Sequence, residues 1–207
     1  IKTLVTLLRP TAGTVEVNGF DAIADPHSVR ATVGYMAQET SIDRELTPRE
    51  NLRLTCELYG VPDDEREDRI AALLDLVELA DVADRRAETF SGGMQKRLDA
   101  ATVLIHRPPV VFLDEPTTGL DPEARLRLWE YFERINERGT TVFLTTQYLA
   151  EADRLRDRLS LLQDGRIIAT GAPEALKAEV GADVFEAALA DPTDRERAER
   201  AVRGLDA

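Results

Sequence analysis

The spacing of apolar positions changes several times along the chain, and each change marks an element. Ile1, Leu4, Val5 and Leu8 are spaced as on one face of a helix that Arg9-Pro10 would stop. Because the chain opens inside that pattern at Ile1 rather than at Met, a preceding segment is expected. Gly13 and Gly19 bracket Thr14-Val15-Glu16-Val17, an alternating strand closed by an Asn18-Gly19 turn. A second short strand, Thr32-Val33-Gly34-Tyr35-Met36, runs into Ala37-Gln38-Glu39.

From Thr47-Pro48 to about Ala80 the period becomes helical. Leu52, Leu54 and Leu58 mark one segment, and Ile70, Leu73, Leu74 and Val77 mark the next. A further helix is predicted to begin at Ser91-Gly92-Gly93, burying Met94, Leu98, Ala101 and Ile105 before Arg107-Pro108-Pro109 ends it. Val110 to Leu113 and Thr141 to Leu144 are short continuous apolar runs separated by a helix from Pro122 to Arg138. That is the pattern of buried parallel strands joined by a crossover, so the core is expected to be α/β.

Composition narrows the setting. The 207 residues carry 26 Lys+Arg against 39 Asp+Glu, a formal charge of −13, and 43% of them are hydrophobic. That is enough chain for one large domain, or one domain with an appendage. No basic run escapes its acidic neighbours, and phosphate-backbone binding needs a basic face, so no nucleic acid is expected as a partner. The cations are 23 Arg and only Lys2, Lys96 and Lys177. Such an acidic, arginine-rich balance fits a GC-rich genome or a salty cytoplasm, where acidic surfaces stay hydrated. Apolar runs such as Thr3 to Leu8 fall far short of the roughly 20 residues that cross a bilayer, so no membrane span or secretory leader is expected. A single cysteine, Cys56, excludes an internal disulfide, no Cys/His cluster has zinc spacing, and a reducing cytoplasm is expected.

Candidate chemistry gathers at Val110-Val111-Phe112-Leu113-Asp114-Glu115-Pro116. Ligands of open parallel sheets collect at the carboxyl ends of strands, and here two acids stand where a buried strand ends. Neighbouring side chains on a strand face opposite ways, so one carboxylate can hold a Mg²⁺ shell while the other orients or deprotonates a water. Read alone, the pair could equally begin a turn before Pro116. Twenty-three residues earlier lies Phe90-Ser91-Gly92-Gly93-Met94-Gln95-Lys96-Arg97-Leu98. Its free amides, serine hydroxyl and helix dipole suit a phosphate, although Ser91 would also be an ordinary helix cap. Pro116-Thr117-Thr118-Gly119-Leu120-Asp121-Pro122 follows the acids, and Leu144-Thr145-Thr146-Gln147-Tyr148-Leu149 closes another strand.

In this order these segments resemble the ATP-binding subunit of an ATP-binding cassette (ABC) transporter, over about Ile1 to Thr170. The resemblance implies an α/β, ABC-type ATPase core with a mostly parallel sheet, an antiparallel β portion and a helical insert at about residues 40–107. ATP and Mg²⁺ are the implied cofactors. Ser91, Gly92, Gly93, Met94 and Gln95 match the signature that closes on the γ-phosphate of ATP bound by a partner subunit. Asp114 matches the Walker B aspartate near Mg²⁺, and Glu115 the catalytic base. Gln38 matches the glutamine that touches Mg²⁺ and water and senses a transmembrane partner. Asp121 matches the aspartate that communicates across the dimer.

Two features depart from the family pattern. The glycine-rich G-x-x-x-x-G-K-[ST] loop and the adenine-stacking aromatic are absent from these 207 residues, as if Ile1 followed immediately after the loop. The expectation is therefore a truncated copy that binds nucleotide poorly, cut from a parent that hydrolyses ATP. Gln147 stands where the family usually holds histidine, and an amide can donate a hydrogen bond but cannot carry a proton. Slower or less pH-sensitive turnover follows, with Glu115 acting as base unaided. Met94 and the tract from Thr145 to Leu149, followed by Glu151-Ala152-Asp153, are similar to the daunorubicin-resistance branch of exporters.

By the same resemblance, residues 1–171 are expected to form the nucleotide-binding domain and 172–207 to begin a C-terminal accessory domain, with a helix from Glu174 to Val180. The implied partners are a separate transmembrane permease subunit and a second ATP-binding subunit, identical or related, at the cytoplasmic face of the membrane. A non-hydrolysing interaction module and an ABC ATPase with a non-transport role are the alternatives. Other chemistry-bearing residues have ordinary expectations. His27 is exposed in a turn, His106 is a cation near a helix end, and Cys56 is an apolar filler. Trp129, Tyr131 and Phe132 pack on the sheet, and Asp63 to Asp68 form a wet loop.

Overall fold

Alternation along three parallel strands organises the structure, a computed structural model that describes residues 1–148, 151, 154, 158–173, 175 and 176. In chain order the elements are β1 (Glu16–Val17), β2 (Phe20–Asp21), α1 (Pro26–Thr32), β3 (Val33–Met36), α2 (Pro48–Leu58), α3 (Asp63–Leu76) and α4 (Gly92–Thr102). They continue with β4 (Val110–Asp114), α5 (Pro122–Glu137), β5 (Thr141–Thr145), β6 (Leu159–Gln163) and β7 (Arg166–Gly171). Two compact units result, 1–147 and 148–207.

In the first unit β3, β4 and β5 form a parallel sheet in that order, with Met36 opposite Leu113 and Asp114 opposite Thr145. Its two faces meet different cores, as the two-residue period of a strand requires. Met36, Val111 and Leu113 face the larger core with Leu98, Leu128, Tyr131 and Phe132, while Val33, Tyr35 and Phe112 face a smaller one with Val5, Val17 and Val29. Crossover helices cover such a sheet, so its strands read as nearly unbroken apolar runs. The antiparallel portion is the β1–β2 hairpin, whose Asn18 and Gly19 both take positive φ (52° and 82°), as a tight two-residue turn demands. Cys56 is fully buried in the larger core, and Trp129, Tyr131 and Phe132 are buried along α5.

Several expectations need correction. Residues 1–8 form hydrogen-bonded turns rather than a helix. Val5 N–H donates to Ile1 O, but Leu7 and Leu8 both donate to Lys2 O and Thr6 takes φ 64°, which breaks the helical ladder. Residues 26–32 are a helix, not a turn: Asp25 accepts from Ser28 N–H, Pro26 occupies the first turn, and exposed His27 rides on it. Leu54 and Leu58 face outward. The inward side of α2 is Pro48, Asn51, Leu52 and Cys56, because the Asn51 amide bonds to Asp43 and Thr47 and turns that face to the core. Asp63 to Asp68 begin α3 instead of a loop, with acids in its positive first turn and ion pairs Arg66–Asp63 and Arg69–Glu65.

The second unit contains the antiparallel β6–β7 hairpin, which has no counterpart in the sequence reading. Most of the Glu174 to Val180 helix, and the rest of the expected accessory segment up to residue 207, lie outside the described residues.

His106 is the remaining correction. It is not a cation at a helix end: its ring stacks on Tyr59 at 3.9 Å and its Nε2 donates to Val33 O at 3.1 Å. Burial lowers its pKa below the usual value, with the Val33 carbonyl opposing, and Nδ1 is buried with no hydrogen-bond partner among the described residues. The unfolded chain therefore takes the proton first. The stability that His106 contributes is complete above the unfolded value of about 6.5 and is lost as pH falls below it. Urea midpoints are expected to drop from about pH 7.5 to about pH 5.5, and the drop should be smaller in His106→Gln, which keeps a donor for Val33 O but does not titrate. An equal drop in both proteins would remove His106 as the cause.

Candidate functional site

The carboxyl ends of β3, β4 and β5 lie side by side, and each runs into a polar residue singled out from the sequence. β3 leads to Gln38, β4 to Asp114 and Glu115, and β5 to Gln147. Glu115 turns out of the strand with φ 49°, a left-handed conformation that a non-glycine residue adopts only where its surroundings impose it. The restraint is visible: Glu115 N–H lies 3.1 Å from Thr145 O and 3.2 Å from Thr145 Oγ1.

The Glu115 side chain is surrounded by donors from three segments. Gln147 Nε2 donates to Oε1 at 2.7 Å, Thr118 Oγ1 to Oε2 at 3.1 Å, and Gln38 Nε2 to Oε2 at 3.4 Å. Asp114 is held by the same neighbour, Thr145, whose Oγ1 donates to its Oδ1 at 2.7 Å. Tyr35 is also next to Asp114. Its hydroxyl pKa is raised first by burial and then by the Asp114 charge and a hydrogen bond to that carboxylate. The structure thus brings Gln38, Glu115 and Gln147 into one cluster, with Asp114 tied to it through Thr145.

The signature residues gather elsewhere. Ser91 caps α4, accepting from Met94 N–H at 3.3 Å, and Gln95 Nε2 ties back to Phe90 O at 3.2 Å. Gly93 packs against α5 so closely that a Cβ there would meet the Ala124 Cβ at 2.8 Å. A Cβ at Gly92 would meet nothing within 4 Å, so the helix tip is open there. Asp121 caps α5 through Ala124 N–H and joins Ser91, Gly93 and Met94 around a shallow depression of about 160 Å³. The helix tip with its hydroxyl and free amides is an anion site in form.

Sequence reasoning missed Thr145 and Thr118, whose hydroxyls hold the two acids, and Tyr35 beside Asp114. A hydroxyl at a strand end leaves no periodic signal. Mg²⁺ can be judged by the donor set. Among the described residues no group of three or more His, Cys, Asp or Glu gathers. The Asp114 carboxylate and the Gln38 side-chain oxygen are nevertheless hard donors at neighbouring strand ends. An ion that keeps several waters and shares phosphate oxygens needs little more from the protein, so these residues fit Mg²⁺.

Comparison with known proteins decides the family. Residues 1–118 match the family described as ABC transporter. The chain belongs to that family. Over 200 residues, 97% of this chain and 61% of the relative, it is 44% identical to the daunorubicin/doxorubicin resistance ATP-binding protein of Streptomyces peucetius. That similarity agrees with the branch to which Met94 and the tract after Leu144 pointed. A solved ATP binding subunit of an ABC transporter superposes with a TM-score of 0.75 at 30% identity, covering 86% of this chain and 74% of that one. A dimeric ATP-binding cassette in a post-hydrolysis state, bound to ADP and Pi, gives 0.73 at 25% identity, covering 83% and 78%. The chain spans about three fifths of the length of the curated relatives it matches.

As an ABC ATP-binding domain, the fold has its parallel sheet, its antiparallel strands and its intervening helices as expected. Among the described residues no helix is long and apolar enough to cross a membrane. In Thr145→Val the strand residue keeps its shape but loses the hydroxyl between Asp114 and Glu115. The expected loss is about 1.5 kcal/mol of unfolding free energy, read from urea denaturation, because a hydrogen bond to a charged group is removed. A change within about 0.5 kcal/mol would mean that the hydroxyl does not hold the acids in place.

Proposed function

We propose that this chain is the ATP-binding and ATP-hydrolysing part of an ABC-type exporter subunit, acting through a separate membrane subunit. The observation that supports this reading best is Glu115, held in a left-handed conformation at the end of β4 with its carboxylate aimed by Gln38, Thr118 and Gln147. A base positioned in this way suits attack of water on a phosphoryl group, where most of the rate comes from positioning and charge stabilisation.

In the proposed reaction Glu115 accepts a proton from the attacking water. The water oxygen bonds to the γ-phosphorus while the bond from that phosphorus to the β,γ-bridging oxygen breaks, giving ADP and inorganic phosphate. Asp114 and Gln38 would hold Mg²⁺, which offsets negative charge on the phosphate oxygens. Gln147 orients Glu115 and the water through its amide and transfers no proton, so catalysis depends on Glu115 alone for base chemistry. Ser91, with the amides around Gly92 and Gly93, Met94 and Gln95, would close on the γ-phosphate held by a second ATP-binding subunit, and Asp121 would sit at that junction. Two subunits with two ATP molecules between them then close and open at the cytoplasmic face of the membrane, moving the helical insert against the permease.

The relatives' printed names, daunorubicin and doxorubicin resistance proteins, favour a drug-like cargo for the intact exporter. The 207-residue chain contains no G-x-x-x-x-G-K-[ST] loop, so by itself it should hold nucleotide weakly. Titration of this chain with Mg·ATP by calorimetry is expected to give a Kd above about 1 mM, whereas an affinity near 1 μM would contradict that reading. In the intact subunit Glu115→Gln is expected to abolish steady-state hydrolysis, by about 100-fold or more, and to trap an ATP-bound dimer on size exclusion. Unchanged hydrolysis in that variant would reject the role given to Glu115.

A further inference from the structure

The helix that carries Ser91-Gly92-Gly93 at its tip also carries two buried charges one turn apart. Lys96 is only 7% exposed and Asp99 is fully buried. They lie three positions apart, which puts both on one side of α4. Lys96 Nζ donates to the main-chain oxygen of Gln38 at 2.6 Å. Asp99 Oδ1 accepts from Ser41 Oγ at 2.6 Å and from Ser41 N–H at 3.2 Å. Both ends of the segment 38–41 are thus fastened to α4 by charge-assisted hydrogen bonds, the stronger kind.

Packing does not account for this pair. Burial pulls the Lys96 ammonium below its usual pKa, opposed by the Asp99 charge, and pushes the Asp99 carboxyl above its own, opposed first by the Ser41 hydrogen bonds and then by Lys96. Asp99 Oδ2 is buried with no hydrogen-bond partner among the described residues. Apolar residues of similar volume at such sites are often neutral or stabilising, so burial does not by itself explain these two charges, whereas their contacts do fix the position of segment 38–41. The geometry here concerns Gln38. That residue is exposed and lies beyond the end of β3, yet its Nε2 stands 3.4 Å from Glu115 Oε2. Its main chain is held on one side by Lys96 while its side chain reaches the carboxylate on the other.

We propose that Lys96 and Asp99 are positioning residues that pin the segment 38–41 to the signature helix and so aim the Gln38 amide at Glu115. The catalytic meaning of this rests on the site roles proposed above, but the geometry it asserts needs no nucleotide.

The test uses NMR of the 207-residue chain. The side-chain amide of Gln38 is assigned by its disappearance in Gln38→Ala. Glu115→Ala is expected to shift that amide, because it removes the acceptor. In a Lys96→Met background the shift should fall to about half or less, and Lys96→Arg, which keeps a cation within reach of the carbonyl, should restore it. An undiminished shift in Lys96→Met overturns the proposal, as does a Gln38 amide that ignores Glu115→Ala. If Lys96→Met does not fold, the same shift is read in Ser41→Pro, which removes both the hydroxyl and the N–H that Asp99 holds. A reduced response there supports the pinning, and a full one overturns it. Failure of the intact subunit to hydrolyse ATP would count against the site reading alone, since this readout involves no nucleotide.

Discussion

A carboxylate at the end of a buried strand can be aimed only by groups that other segments bring to it. Glu115 is such a group. Its backbone leaves β4 in a left-handed conformation, and the main chain and hydroxyl of Thr145 hold it there from the neighbouring strand. The side chain then meets amides from Gln38 and Gln147 and a hydroxyl from Thr118. Remove the parallel register that sets Asp114 opposite Thr145 and the contacts from Thr145 and Gln147 are lost. The rest of the first unit exists, in physical terms, to keep three strand ends level.

The cores on both sides of the sheet do that levelling. Met36, Val111 and Leu113 sink into the larger core while Val33, Tyr35 and Phe112 sink into the smaller, so a one-residue slip would invert both faces. The helical segment adds a second constraint through α4, whose Tyr131 contact at Ala100 O and whose Lys96 and Asp99 contacts tie it to α5 and to the 38–41 segment. Burial supplies the stability, and polar contacts at a few atoms supply the direction.

The same division decides which elements are legible in the amino-acid order. α4, α5, β4 and β5 are legible because their apolar spacing is strong and their ends carry glycine, proline or capping side chains, although α4 ends at Thr102 and the expected Ile105 lies in the turns that follow. The helix from Pro26 to Thr32 is not, because it spans 7 residues and buries only Val29. The inward face of α2 is not legible, because a polar residue, Asn51, occupies it to satisfy backbone groups of Asp43 and Thr47. His106 looked like a helix-end cation because proximity to Tyr59 and Val33 is separated by many residues in the chain.

For the candidate site, the amino-acid order alone determined the family resemblance and the identities of Gln38, Ser91, Asp114, Glu115, Asp121 and Gln147, since short motifs need specific side chains at fixed local spacing. It also determined that position 147, beyond the end of β5, holds an amide that cannot ionise. Only the tertiary structure decided that Gln38 and Gln147 meet on one carboxylate, that Thr145 bridges the two acids, and that Lys96 reaches the main chain of Gln38. Those contacts join residues 30 to 77 positions apart. Their partners are chosen by strand register and helix packing, which local periodicity does not encode.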